Sequence, residues 1–542
     1  MMLHEDIDIL ECVYYPEYIQ YFPDYYIQAN YYFNYDFKLT EKSTSLNEVL
    51  GIFPELFLGL SILFLIIHGI LLSSNKKKNY PLIHNSIINL GILALIFTFI
   101  LINNNCIVNE SSLFNNTIVI DNIGMYSKQM IVLSSILCLI VIKDYLNDTK
   151  TSSFEYIILI LFSILGILLL CSSNDLITAY LSIEVQSLSF YLLAAYKKNS
   201  IFSTEAGLKY FILGSFSSSL FLFGSSFIYG STGTTNFEDF KDLYFLIYPE
   251  NLFYKDLIYE INLLELGLVF LIISLFFKLS LAPFHLWSPD IYEGSLTSST
   301  IFFAVLPKLG LFVLLVRIFY YSFHGLIDNW KHCFIGISLL SIIIGSFGGL
   351  EQKKIKSLFA YSSITHMGYS LISFSTGTFE GLQVLLCYIF IYMLSGICIW
   401  SIFLSIRLKY NYLKKTNKDL ADFLLLSKSN KILAMFFSIS LLSLSGFPPL
   451  IGFYAKFNVF LVSIESTFYF AALFGILCSV ISTFYYVRII KILYFEKKIS
   501  GKLYYPINYQ ISLIISICFV LFIFLFLNPN LIYLFFYKIS SF

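Results

Sequence analysis

Lys308 stands in the middle of a stretch with about ten apolar residues on either side, far from any segment end where its ammonium group would reach water. Three further charges are placed in the same way. Glu184 lies centrally in Tyr180-Leu-Ser-Ile-Glu184-Val-Gln-Ser-Leu-Ser-Phe-Tyr191, where Tyr180, Ser187 and Tyr191 share its face at helical spacing. Lys278 lies five residues before Pro283, and Lys456 follows Pro448 and Pro449. A charge in hydrocarbon costs on the order of 2.5–3.5 kcal/mol on insertion scales, so such residues face a bundle interior or water and mark ion and proton pathways. A desolvated lysine holds its proton less firmly and a nearby carboxylate restores it, so neutralising or moving the partner switches the lysine between ammonium and amine. That is the chemistry of proton transfer. His366, within Tyr361-Ser-Ser-Ile-Thr-His366-Met-Gly-Tyr369, is placed to relay between lysines because imidazole titrates near neutrality.

Each of these residues has a purely structural account beside the functional one. A lysine can snorkel to the interface, and a buried pair can do no more than fix helix register. His366 can simply be hydrogen-bonded to its hydroxyl neighbours. Lys209 follows Glu205 by four residues, which suits an ordinary i,i+4 surface pair. His285 and Asp290 either cap the ends of an interrupted helix or line a water path.

The elements that must position these groups follow from composition. In 542 residues, hydrophobic types make up 58% and charged types 13%, too lopsided for a water-soluble core and shell. Many apolar runs exceed the roughly 18–20 residues needed to cross about 30 Å of hydrocarbon. The pattern predicts an all-α polytopic membrane protein of about fourteen transmembrane helices. They fall near 49–74, 82–102, 128–146, 154–172, 174–197, 204–229, 260–284, 297–322, 331–350, 356–376, 380–409, 431–463, 466–495 and 507–536. Lysines concentrate after odd-numbered helices: 76–78, 143 and 150, 197–198, 353–356, 414–431, and 497–502. An excess of Lys and Arg marks the cytoplasmic or matrix side, so both termini are expected on the opposite, positive-potential side.

Two of the predicted helices are interrupted, at Leu281-Ala-Pro283-Phe-His285 and at Ser445-Gly-Phe-Pro448-Pro449. Proline removes a backbone donor and clashes with the preceding turn, so each should break its helix. Each break falls on the fourth helix of a set of five, helices 4–8 and 9–13. An odd number per set gives the copies opposite orientation, the inverted-repeat signature of transporters. The expected organisation is a polar extension over 1–48 with nine Asp/Glu against two Lys, three helices over 49–146, a first repeat over 147–322, a second over 323–496, and a last helix over 497–542.

Several functions are excluded or disfavoured. Net charge is zero, and no basic run interleaved with aromatics suggests nucleic-acid binding. The nine cysteines lie singly, without CxxC or a His-Cys spacing for zinc or an iron–sulfur cluster, and read as small buried hydrophobes. No GxGxxG follows a strand, so no nucleotide cofactor, flavin or metal is expected on this chain. The acidic N-terminus resembles neither a signal nor a transit peptide.

From about residue 150 to 495 the chain resembles the antiporter-like subunit 2 of respiratory NADH:ubiquinone oxidoreductase (complex I), the bacterial subunit N family. The resemblance rests on Ser182-Ile-Glu184-Val-Gln186-Ser-Leu-Ser-Phe-Tyr191, Ser203-Thr-Glu205-Ala-Gly-Leu-Lys209-Tyr-Phe-Ile-Leu-Gly214 and Ile228-Tyr-Gly230-Ser-Thr-Gly233. It continues in Phe277-Lys278, Ala282-Pro-Phe-His285-Leu-Trp287-Ser-Pro-Asp290-Ile-Tyr-Glu293-Gly294, Pro307-Lys308, Ala360-Tyr-Ser-Ser-Ile-Thr-His366-Met-Gly-Tyr369 and Ser445-Gly-Phe-Pro-Pro-Leu-Ile-Gly452-Phe-Tyr-Ala-Lys456. It implies Glu184 with Lys278 as the ion pair of one half-channel, Lys308 as central relay, Lys456 as exit lysine, and His366 and Lys209 as relay or accessory groups. It also implies that NADH, FMN, iron–sulfur clusters and ubiquinone belong to other subunits, and that the partners are neighbouring membrane-arm subunits such as antiporter-like subunit 4, accessory subunits and lipids. Three stretches depart from the family. Ser295-Leu-Thr-Ser298 replaces its usual proline-bearing sequence, and residues 1–48 and 234–259 have no counterpart.

Two rival readings share many of these features: a stand-alone cation/proton antiporter, and a membrane scaffold whose buried charges only specify packing. A sodium site would want several carboxylates or unwound carbonyls in one place, and only Glu184 is central. Abundant Phe, Tyr, Ile, Asn and Lys suit an AT-rich organellar genome, so the mitochondrial inner membrane is expected, with a bacterial plasma membrane as the alternative.

Overall fold

A computed structural model describes residues 45–73, 84–104, 111–149, 153–247, 255–410, 413–416, 419–424, 426–496 and 506–540. The lysines at 76–78, 150, 418, 497–498 and 502, residues 1–44 of the N-terminal extension and 248–254 of the long loop lie outside the described residues. The chain divides after Phe53. The N-terminal unit holds the short helix α1 (Ser45–Gly51), and the second unit runs from Pro54 onward.

The second unit is helical, and eleven of its helical stretches are long and apolar enough to cross a membrane. Its first half comprises α2 (Phe53–Ser73), α3 (His84–Asn104), α4 (Asn122–Thr149), α5 (Phe154–Ser172), α6 (Leu176–Ala194), α7 (Ile201–Thr232), α8 (Phe237–Ile247), α9 (Lys255–Leu279), α10 (Trp287–Gly294) and α11 (Thr297–Val316). Its second half comprises α12 (Ile327–Leu350), α13 (Ile355–Ser375), α14 (Phe379–Ser405), α15 (Leu426–Ser429), α16 (Lys431–Ser445), α17 (Ile451–Glu465), α18 (Tyr469–Tyr494), α19 (Tyr509–Leu527) and α20 (Pro529–Ser540). The helices outside the eleven are informative. α16 and α17 are 15 residues each, the two pieces of one interrupted segment, and α13 is diluted by seven Ser/Thr residues and His366.

α11 is the axis of the bundle. All twenty of its residues are buried, and it packs against α4, α5 and α14. A helix that is apolar all round belongs inside a bundle, and one lysine within it must then find a partner inside the protein. Around this axis α5 packs along α6, α7 along α9, and α12 along α13. Small residues permit the close approaches: a Cβ on Gly224 would lie 2.7 Å from the Gly267 carbonyl, so α7 and α9 meet backbone to backbone.

The structure corrects the predicted elements in four places. The α-geometry of the eighth predicted helix stops at Val316 and continues as a π-helical turn, Arg317–Ser322, where the buried Arg317 meets Asp121. The last predicted helix, 507–536, is two helices, because Pro529 opens a new first turn in which its missing N–H costs nothing. The stretch 234–259 contains α8 and the start of α9. Finally, two small antiparallel hairpins, β1 (Ser111–Leu113) with β2 (Ile118–Ile120) and β3 (Arg407–Tyr410) with β4 (Leu413–Thr416), interrupt the all-helical pattern. An amide cluster fastens α8 near the first hairpin: Asn116 donates to the Glu238 carboxylate at 2.9 Å, and Asn174 and Asn236 both donate to the Asn116 carbonyl. Burial and the neighbouring Asp239 and Asp242 hold the Glu238 carboxyl above the usual carboxylate range.

Candidate functional site

Both predicted breaks are present, and their backbones close alike. At the end of α9, Ser280 N–H donates to the Phe277 carbonyl and Leu281 N–H to the Phe276 carbonyl, with Ser280 at φ +59°. At the end of α16, Gly446 N–H donates to the Ser443 carbonyl and Phe447 N–H to the Leu442 carbonyl, with Gly446 at φ +82°. This is the left-handed cap that ends helices, and a proline follows within three residues in each case. Each break contains a cis X-Pro bond, Ala282–Pro283 and Pro448–Pro449. A side chain from beyond each break then satisfies a carbonyl at the helix end. Trp287 Nε1 donates to the Phe277 carbonyl at 3.0 Å, and Lys456 Nζ donates to the Ser445 carbonyl at 2.9 Å.

Lys278, Lys308, His366 and Lys456 are gathered by these elements into one row across the bundle. At its first end Glu184, on α6, is partly buried, with Oε2 accepting from Ser187 Oγ at 3.5 Å and Oε1 buried without a hydrogen-bond partner. Among the described residues, the ammonium–carboxylate contacts within 4.0 Å involve other groups, and none joins Glu184 to Lys278. Tyr191, one turn on from Ser187, makes the link. Lys278 Nζ donates to the Tyr191 hydroxyl at 3.2 Å, while Ser187 neighbours the same hydroxyl and the Glu184 carboxylate acts on Lys278 through space.

A small cavity of about 20 Å³ lies next, lined by Ser187, Lys278, Tyr292, Pro307 and Lys308 among others, so the two lysines share one wall of space. Lys308 is 4% exposed. Its Nζ donates to the Tyr392 hydroxyl at 2.9 Å and lies 4.7 Å from that ring's centroid. Beyond Tyr392 a second small cavity, also of about 20 Å³, is lined by His366, Tyr388, Tyr392, Ser443 and Lys456. His366 Nδ1 lies 2.7 Å from the Tyr388 hydroxyl and Nε2 3.1 Å from that of Tyr486. Lys456 closes the row with Nζ 5.2 Å from the Tyr369 ring centroid. Such ammonium–ring contacts contribute about 2 kcal/mol when desolvated.

Lys209 is not part of this row. Its side chain is 44% exposed and bridges Glu205 at 2.9 Å and Asp290 at 2.8 Å, tying α7 to α10. The i,i+4 pair is as the spacing suggests, and Asp290 joins it from 81 residues away. His285 is buried, and its Nδ1 has no hydrogen-bond partner.

Sequence reasoning passed over the tyrosines, which supply most of the contacts to the charged groups. Tyr191, Tyr388, Tyr392 and Tyr486 are four of 41 tyrosines, and only the helical spacing of Tyr191 from Glu184 gave a signal. It also passed over two buried ion pairs outside the row. Glu55 on α2 meets Lys128 on α4 at 2.5 Å, and Asp121 meets Arg317 at 2.6 Å. The rule that flagged Lys308 applies equally to Glu55 and Arg317, both inside predicted spans. Among the described residues, no group of three or more His, Cys, Asp or Glu is placed to hold a metal ion. Of the described cysteines, Cys333 is exposed, contrary to the expectation that they are buried, and the other six are buried.

A family profile described as "NADH:quinone oxidoreductase/Mrp antiporter, TM" matches residues 173–482. The chain is 40% identical over 488 residues to the NADH-ubiquinone oxidoreductase chain 2 of Marchantia polymorpha, covering 90% of this chain and 97% of that one. It is 40% identical over 447 residues to the NADH-quinone oxidoreductase subunit N of Pelagibacter ubique, covering 82% and 90%. In fold it is similar to a chain of respiratory complex I from Thermus thermophilus, with TM-score 0.72, 24% identity, and 89% and 98% of the two chains covered. It is similar also to a chain of the Mrp complex from Dietzia, with TM-score 0.74, 17% identity, and 92% and 97% covered. With the profile spanning the whole lysine row and relatives aligned over nearly their full length, the chain belongs to the family of NADH-ubiquinone oxidoreductase chain 2 and NADH-quinone oxidoreductase subunit N.

Proposed function

We propose that this chain is an antiporter-like, proton-translocating membrane subunit of an NADH:quinone oxidoreductase, and that Glu184, Lys278, Lys308, His366 and Lys456 carry the proton. The observation that carries this reading is the unbroken succession of the row: Lys278 and Lys308 line one cavity, and Tyr392, which holds Lys308, lines the next with His366 and Lys456. Glu184 sets the charge opposite Lys278 through Ser187 and Tyr191. A signal from a neighbouring subunit that shifts charge at Glu184 changes what Lys278 holds, and the change passes along the row by proton transfer. Lys308 is the central relay and Lys456 the group that releases the proton.

The like closure of the two breaks supports two inverted five-helix repeats, over 147–322 and 323–496, in a fourteen-helix chain that also carries the extension 1–48, helices over 49–146 and a last segment over 497–542. The chain would have no redox site of its own: NADH, FMN, iron–sulfur clusters and quinone belong to partner subunits, among them an adjacent antiporter-like subunit, small membrane subunits and accessory subunits. Composition supports the mitochondrial inner membrane, with Phe 57 and Tyr 41 in 542 residues. Lys209 serves this reading as an accessory group holding α10, and with it the first break, against α7.

The test is Lys308→Met in the assembled complex. NADH-driven proton translocation by sealed membrane vesicles should fall by about tenfold or more, with the amount of complex on native gels unchanged. Wild-type translocation in that variant would end the proposal.

A further inference from the structure

His366 is held at both ring nitrogens by phenol hydroxyls, yet the two phenols face different surroundings. A neutral imidazole carries one N–H, so one of these hydroxyls receives a proton and the other offers one. Tyr388 lines the cavity that contains Lys456, whereas Tyr486 does not. Tyr486 belongs to α18 and packs on Tyr485 with ring centroids 4.5 Å apart, and both residues are fully buried.

These two tyrosines lie toward one end of the bundle. The Tyr485 ring presses on Gly349, one residue from the end of α12, where an added Cβ would come within 2.9 Å. One turn on, Arg488 donates to the Leu350 carbonyl at 3.0 Å. Lys353 and Lys354 follow after Glu351 and Gln352. The pair therefore fills the space between His366 and a cationic rim. The Tyr485 hydroxyl is buried and has no hydrogen-bond partner, although Thr365, Ser482 and Tyr486 neighbour it. A buried hydroxyl left unpaired costs about 1–3 kcal/mol. Phenylalanine would fill the same volume without that cost, so packing does not account for the oxygen.

We propose that Tyr485 and Tyr486 form a proton-uptake branch joining His366 to the aqueous surface at this cationic rim, an inference that rests on the lysine row being the proton path. A proton arriving at the Tyr485 oxygen displaces that residue's own hydroxyl proton onto the neighbouring Tyr486 oxygen, and Tyr486 passes its own hydroxyl proton to Nε2 of His366. The Nδ1 proton then leaves to the Tyr388 oxygen, and Tyr388 releases its original proton toward Lys456. Every group ends with the number of protons it began with, one proton has moved, and no electron has. Rotation of the hydroxyls and a half-turn of the imidazole reset the branch. The second half of the chain thereby draws protons by its own route, in addition to those passed from Lys308.

The experiment uses the intact complex in sealed vesicles, with Tyr485→Phe, Tyr486→Phe and Lys308→Met measured side by side. Tyr485→Phe removes an oxygen that holds no hydrogen bond, so assembly has nothing to lose. Both phenylalanine variants should assemble normally, slow NADH-driven translocation by about threefold or more, and show a larger solvent deuterium isotope effect as proton delivery becomes limiting. A packing role would leave the isotope effect unchanged. Loss of translocation in Lys308→Met with wild-type rates and isotope effects in Tyr485→Phe and Tyr486→Phe removes the branch alone. Wild-type translocation in Lys308→Met removes the lysine row and the branch with it.

Discussion

The Lys308 ammonium donates to the Tyr392 hydroxyl at 2.9 Å across the α11–α14 interface, 84 residues apart in sequence, from a helix whose twenty residues are all buried. The same phenol lines the space occupied by His366 and Lys456. One tyrosine thus completes the coordination of the central lysine and forms a wall of the next compartment, which makes it the joint between the two halves of the chain.

Tyr392→Phe keeps the ring beneath the ammonium and removes only the hydrogen bond. A hydrogen bond to a charged group contributes about 1.5–3 kcal/mol. The variant should assemble, and its NADH-driven proton translocation should fall by about tenfold. An unchanged rate would show that Lys308 does not depend on this hydroxyl.

Glu184 reaches Lys278 through Ser187 and Tyr191 rather than by contact. Glu184→Gln and Tyr191→Phe should therefore be strongly non-additive, the double variant losing about as much translocation as the worse single one. Rates that multiply would place the two residues on separate paths.

The Glu55–Lys128 pair, with side chains 4% and 9% exposed, joins α2 to α4. Leaving one buried charge unpaired typically costs about 3–5 kcal/mol, whereas replacing both with apolar groups of similar size is close to neutral. Glu55→Gln should lower the thermal midpoint of the purified complex or its yield. Glu55→Leu combined with Lys128→Met should recover most of the loss, and the combination failing as badly as the single change would count against this pairing.

The two breaks differ in the residue at the left-handed position, which gives opposite expectations. Gly446→Ala places a Cβ 2.8 Å from Lys456 Cδ at φ +82°, a conformation costing a non-glycine residue about 1–2 kcal/mol. It should weaken translocation by displacing Lys456. Ser280→Gly relieves a serine at φ +59° and should leave translocation intact and stability unchanged or higher by about 0.5–1 kcal/mol. Thermal unfolding of the two complexes, read beside their pumping rates, checks both.

Much of this was legible in the chain itself. Hydropathy alone defines the long spans, because about 30 Å of hydrocarbon admits only backbone that satisfies its own hydrogen bonds. Pro283, Pro448 and Pro449 announce the breaks because proline cannot continue a helix, and Lys308 announces itself by standing where no water reaches. The π-helical turn at Arg317–Ser322 was not legible, since it lies in an apolar run that looks continuous, whereas Asn528-Pro529-Asn530 carried the same proline signal as the two breaks and was passed over. The hairpin Ser111–Ile120 is too short to impose a pattern of period two.

The amino-acid sequence by itself determined that this protein lives in lipid, that Lys308 and Lys456 are buried and that helices break at Pro283 and Pro448, since each depends on local cost. Tertiary structure alone decided which groups meet. Glu184 faces Lys278 across a tyrosine, Lys209 is drawn to Asp290 and away from the row, and His366 stands between two phenols from different helices. Those pairings span 81 to 120 residues for Lys209 and for His366 with Tyr486. Helical periodicity fixes the face of one helix, and only packing fixes which face of another it meets.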